Sequence, residues 1–117
     1  MNKAQVHFEA LKGQQLKLMD PFKKYATGTR GYLQAVFKLA EHWKEYDKII
    51  AVWTVNGSDQ YTSEIDTDGL TTIPAEAVAK PGTLKVNLCA GIVENGTLKA
   101  RLTSYQAEAL QLIKALL

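Results

Sequence analysis

The stretch YDKIIAVWTVNGSDQYTSEIDTDGLTTIPAEAVAKP, Tyr46 to Pro81, decides how the chain folds. Lys48 to Val55 (KIIAVWTV) is apolar on both faces from Ile49 to Trp53, the pattern of a central strand with sheet partners on either side. Asn56-Gly57 follows, and both residues reach positive φ cheaply, so the pair marks a hairpin. Ser58-Asp59 lengthens the connection to a loop of about three to five residues. Gln60 to Ile65 is the return strand, Asp66-Thr67-Asp68-Gly69 turns the chain again, and Leu70 to Ile73 adds a short strand. Pro74 to Ala79 reads as one helical turn, because proline suits the first position and Glu76 suits the positive end. Lys80-Pro81-Gly82 ends it.

The surrounding chain follows the same grammar. In Gln5 to Leu11, Val6, Phe8 and Ala10 alternate onto one face, and in Gln15 to Met19 Leu16 and Leu18 do so after the break at Lys12-Gly13. Phe22 to Thr29 is polar, contains glycine and reads as a loop. Tyr32 to Ala40 carries Leu33, Ala35, Phe37 and Leu39 on one side, a long strand. Glu41 to Asp47 reads as a turn or one helical turn that drops Trp43 and Tyr46 onto the core edge. Thr83 to Val93 alternates with Leu84, Val86, Leu88 and Ala90 inward; Glu94-Asn95-Gly96 is a second hairpin turn, and Thr97 to Thr103 returns from it. The tail, Ser104 to Leu117, fits two readings. Alternation makes Gln106 to Ile113 a strand, whereas composition and the spacing of Ala109, Leu112, Ile113 and Leu116 suit an apolar helical stripe. The reading adopted is a strand that breaks into a short helix. The whole chain, 1–117, is then a single mainly β domain with one or two short helical turns, and the tail from residue 105 onward is an extension used in assembly.

Candidate chemistry is thin. DTDG has the alternating carboxylates and glycine that open a calcium loop, but such a loop needs a bidentate glutamate at its twelfth position, where Ala77 stands. A plain Asp-Gly turn is the expectation, with no metal. His42 lies between Glu41 and Glu45, which could orient a general base, yet no nucleophile or oxyanion donor lies near it in sequence. Cys89 falls on the face opposite the core with Lys85 and Asn87, and no cation or base is at hand to activate it. Lys23, Lys24 and Arg30 beside Tyr25 and Tyr32 are too few for a nucleic-acid surface. No catalytic residues and no cofactor are expected, and the chain does not read as an enzyme.

Composition bounds the class. The chain has 117 residues, 46% hydrophobic and 22% charged, with 14 basic and 12 acidic side chains and a net charge of +2. That length buries roughly two-thirds of the unfolded surface without staples. The charge balance does not point to nucleic acid or an anionic membrane as partner. No apolar run approaches the ~20 residues of a membrane-spanning helix. The N-terminus lacks the apolar core of a signal peptide, and one cysteine cannot bridge internally, which suits synthesis in a reducing cytoplasm.

Over residues 30 to 107 the chain resembles a small β-sandwich module of phage virion proteins, found in tail, baseplate and fibre-anchoring components of phages of Gram-positive hosts. The resemblance rests on Trp43, Tyr46, Ala51-Val52-Trp53, Ile65-Asp66, Asp68-Gly69, Ile73-Pro74, Glu76, Val78, Pro81-Gly82, Val86, Leu88, Gly91 and Thr103-Ser104. It implies an immunoglobulin-like antiparallel β-sandwich, made in the host cytoplasm and located in the virion. It implies a tail, baseplate or head-fibre adaptor, or a capsid decoration subunit, that forms a homo-oligomer and binds neighbouring virion proteins. Tyr105, Leu110, Leu112, Ile113, Leu116 and Leu117 are the expected assembly contacts. The alternative is a carbohydrate- or host-surface-binding module with Tyr25, Tyr32, Trp43 and Tyr61 as stacking platforms.

Overall fold

The computed structural model describes residues 3–115. Ten strands run in chain order: β1 (Ala4–Ala10), β2 (Leu16–Leu18), β3 (Lys24–Ala26), β4 (Leu33–Leu39), β5 (Lys48–Val55), β6 (Asp59–Glu64), β7 (Leu70–Thr72), β8 (Gly82–Glu94), β9 (Thr97–Thr103) and β10 (Ala107–Ile113). Two 3-10 turns, Glu41–Glu45 and Ala75–Val78, occupy the predicted helical positions. The strands form a four-stranded sheet, β2-β1-β4-β7, and a six-stranded sheet, β3-β10-β8-β5-β6, with β9 alongside β8.

The alternation read in the sequence is the alternation that is buried. Val6, Phe8 and Ala10 of β1 and Leu33, Ala35 and Phe37 of β4 face Ala51, Trp53, Leu84, Val86 and Leu88 of the larger sheet in one continuous core. Phe8 stacks on Phe37 with ring centroids 4.9 Å apart, and each ring lies 6.5 Å from Trp53 across the sheet interface. Such offset and edge contacts add to the burial of large apolar surface. The Trp53 indole N–H, left over in this apolar setting, donates to Ser63 Oγ at 2.9 Å. Trp43 plugs the core edge and is fully buried.

The sheets are mixed, which corrects the expectation of purely antiparallel pairing. β1 pairs with β4 in parallel over its whole length, Ala4 with Leu33 through Ala10 with Leu39, and β3 pairs with β10 in parallel. A parallel pair needs a long crossover. Here the chain between Ala10 and Leu33 supplies it by hairpinning back as β2 and then visiting the other sheet as β3. β3 lies in the segment expected to be a loop. Its three residues have no alternation to read, and the strand exists because β10 offers it a free edge, with Tyr25 opposite Leu112.

The tail resolves as a strand. β10 pairs antiparallel with β8, and its register shifts between Glu108 and Leu110. The extra residue of such a bulge puts two successive side chains on one face. Ala109 and Leu110 are therefore both buried, as is Leu112. That slip in phase is what gave the tail its helix-like spacing. Of the residues spaced as a helical stripe, Ala109, Leu112 and Ile113 lie in this strand, and Leu116 lies outside the described residues.

β8 is the longest strand, thirteen residues. One edge is covered by β5; the other is shared by β10 and β9, which run end to end with only Ser104 to Gln106 between them. β5 stops opposite Gly91, so the β8–β9 hairpin continues past it as an arm, and the molecule measures 49 × 29 × 27 Å. At the arm tip Asn95 and Gly96 have φ of 52° and 77°, as a tight hairpin turn requires.

Candidate assembly surface

The six residues expected to make assembly contacts do not share one surface. Leu110 and Leu112 are buried between the sheets and support the fold, a correction that follows directly from the β10 bulge. Tyr105 is 69% exposed and Ile113 is 45% exposed. They sit at opposite ends of β10, Tyr105 before its start, where its backbone N–H donates to the Gln14 carbonyl at 2.9 Å, and Ile113 beside Ala26. Leu116 and Leu117 lie outside the described residues.

A different exposed apolar site is built by the arm. Val93 is 57% exposed and Leu98 54%. A second bulge, between Ile92 and Val93, pairs Val93 directly with Leu98 and leaves Lys99 unpaired in the ladder. Leu98 is thereby turned onto the same outer face as Val93, above Gly91, whose missing side chain leaves the space: a Cβ there would lie 3.2 Å from Leu98 Cδ1. Ile50, Cys89, Val93 and Leu98 form the floor of a groove of ≈ 460 Å³, with Lys48 and Arg101 among its lining residues. The sequence carried a signal for this site. Val93 is an apolar side chain in the outward phase of β8, next to a turn, and Leu98 faces it across that turn.

The edges of the two sheets differ in the same region. β6 and β9 each pair on one side only among the described residues, with β5 and β8 respectively. Ile65 N–H donates to Ile49 at 3.0 Å, so the alternating ladder turns the backbone groups of Gln60, Thr62 and Glu64 away from β5. On β9, Ser104 N–H donates to Leu88 at 2.9 Å and Thr103 gives its carbonyl to Gln14 Nε2 at 3.0 Å, which places the backbone of Arg101 on the open side.

The remaining candidates resolve locally. The Asp66 side chain accepts the backbone N–H groups of Asp68 and Leu70, both at 2.9 Å, so the DTDG segment is an Asx-type turn whose first carboxylate is spent on its own loop. His42 is half-buried, and its Nε2–H donates to the Gly13 carbonyl at 2.8 Å, which assigns that nitrogen's proton and ties the 3-10 turn to the β1–β2 loop. Cys89 is half-buried in the groove floor. Of the aromatic platforms, Trp43 is fully buried and unavailable for stacking, Tyr25 and Tyr61 are half-buried against the core, and Tyr32 is exposed.

One titratable pair is set apart. His7 donates its backbone N–H (2.7 Å) and its Nδ1–H (3.0 Å) to Asp20 Oδ2. Burial pushes the Asp20 carboxyl up, but these hydrogen bonds and the nearby charges of His7 and Lys23 outweigh it, and its pKa lies below 3.8. The same carboxylate, after burial, raises the Tyr25 hydroxyl. The pair pins the end of β2 to β1, and its role is structural.

No protein-family model matches the chain, and no curated protein is matched by its sequence.

Proposed function

We propose that this chain is a phage virion structural protein, a tail, baseplate or head-fibre adaptor or a decoration subunit, that acts by protein–protein assembly. The sandwich is immunoglobulin-like in this reading, with mixed sheets in place of antiparallel ones. The observation that carries the proposal is the arm: a hairpin that leaves the body, exposes Val93 and Leu98, and keeps one backbone edge unpaired. The part of the hairpin beyond β5 adds no residue to the core, so its apolar side chains gain further burial against another surface. Several turn and core positions on which the resemblance rests have structural duties in this chain. Trp53 joins the sheets, Pro74 starts the 3-10 turn, and Gly69 faces the backbone of Phe37.

Light scattering on the purified chain and antibody labelling of phage particles test this. Labelled particles and an oligomer in solution are the expected results. A chain that stays monomeric, labels no particle and binds a glycan array would replace this reading with the surface-binding one.

A further inference from the structure

We propose that the two long edges of the six-stranded sheet are a matched pair, so that β9 of one copy adds to β6 of the next. The partner is a second copy of this chain, and the inference rests on the assembly reading above. Among the described residues, neither edge has a strand partner on its outer side, and on β9 the Thr103 carbonyl is taken by Gln14 Nε2 while the backbone of Arg101 stays open. The four-stranded sheet offers only β2 and β7 at its edges, three residues each. Long open edges invite further strands, and proteins that keep them control what pairs there.

Charge supplies that control. β6 (DQYTSE) carries Asp59 and Glu64 and no cation; β9 (TLKARLT) carries Lys99 and Arg101 and no anion. Two β6 edges repel, as do two β9 edges, and only the unlike pair attracts. The present partners of these charges are loose: Glu64 lies 3.8 Å from Lys48 and Lys99 lies 3.8 Å from Glu94, all well exposed. Such exposed pairs contribute little and are easily exchanged. Arg101 and Asp59 have no ion-pair partner among the described residues.

Strand direction also fits. β5 and β9 run one way and β8 and β6 the other. A neighbour in the same orientation therefore meets β6 with its β9 antiparallel, the more stable ladder. Glu64 and Thr62 of one copy and Arg101 of the next all turn their backbone N–H and C=O toward the junction. The side chains of Glu64 and Arg101 lie on the same outer face, since Glu64 is opposite Ile50, and Ile50 and Gly91 belong to the face that carries the groove. The contact joins two different surfaces, so it propagates into a ring or a filament and does not stop at a two-fold dimer.

The test compares self-association of the full chain by sedimentation and light scattering for the wild type, Glu64→Lys, Arg101→Glu and an equimolar mixture of the two variants. Each variant alone is expected to associate about tenfold more weakly, and the mixture to recover wild-type association, because each variant then presents the other's complement. Thr62→Pro serves as a second probe. It removes a donor on the open side and keeps the ladder to β5, so it should abolish association while circular dichroism and melting show a folded chain. A wild type that remains monomeric overturns edge pairing and leaves particle labelling to decide the assembly reading. Oligomers unaffected by Glu64→Lys, Arg101→Glu and Thr62→Pro, or a mixture that does not recover, overturn edge pairing and leave assembly standing.

Discussion

The two sheets share one core and treat their edges in opposite ways. The four-stranded sheet ends in β2 and β7, three residues each, and its neighbouring loops are tied down by side chains: Asp20 holds His7, and Asp66 caps its own turn. The six-stranded sheet ends on one side in the six-residue β6 and on the other in the three-residue β3 outside β10 and the seven-residue β9 outside β8, with the arm running past the body. A sheet whose edges are short is finished within one chain; one whose edges are long and oppositely charged is left available to another chain. The difference lies in the edges alone, since both sheets build the one core.

The sharpest way to break that comparison is at the shared core. Trp53→Ala removes the ring that both Phe8 and Phe37 touch, and should cost about 3–5 kcal/mol. Urea unfolding followed by fluorescence and by circular dichroism should give a single coincident transition. Separate transitions would show that the sheets hold independently.

Within the six-stranded sheet, inside and outside can be set against each other along β10. Leu110→Ala should destabilise by about 2–5 kcal/mol, because its side chain is fully buried at the bulge. Ile113→Ser and Tyr105→Ser should change stability by no more than about 0.5 kcal/mol. Chemical denaturation midpoints check this, and equal effects would mean that the bulge does not set the phase of the tail.

The four-stranded sheet can be probed through Gly69. Its φ is +82°, and an added Cβ would collide with the Phe37 carbonyl oxygen, whose own N–H donates to the Gly69 oxygen at 2.7 Å. Gly69→Ala should cost about 1–3 kcal/mol. Gly57→Ala, at φ +78° with open space around it, should cost less, since only backbone strain opposes it.

The smallest effect is the acid response of Asp20. Its folded-state pKa is depressed below 3.8, so its stabilisation is complete above that value and disappears as pH falls through the folded-state value. Asp20→Asn should therefore be less stable than the wild type at neutral pH, and the difference should shrink in acid as the carboxyl takes up its proton. Thermal melts at neutral and acid pH test the sign.

Much of this architecture was legible because alternation and turn chemistry act over a few residues. β5 and β9 fall on Lys48 to Val55 and Thr97 to Thr103 as read, and the inward set Leu84, Val86, Leu88 and Ala90 is the buried set. Asn56 and Gly57, both at positive φ, form with Ser58 the three-residue loop before Asp59. The candidate contacts were less legible. Leu110 and Leu112 have the composition of an exposed stripe and the burial of core residues, because a single inserted residue shifted their phase. Val93 and Leu98 could be placed next to a turn, but not beyond the end of β5.

Local pattern in the sequence sets every strand except β3, most of the turns and which side is apolar, since each depends on local conformational preference and a period of two. The sequence also sets the charges of β6 and β9. Tertiary pairing is what makes β1 and β4 parallel, forms β3, puts a bulge in β10 and carries β9 on as an arm with no strand on its outer side among the described residues. Each of these depends on which strand lies beside which, and that pairing is made by residues far apart in the chain, whose contacts no local pattern encodes.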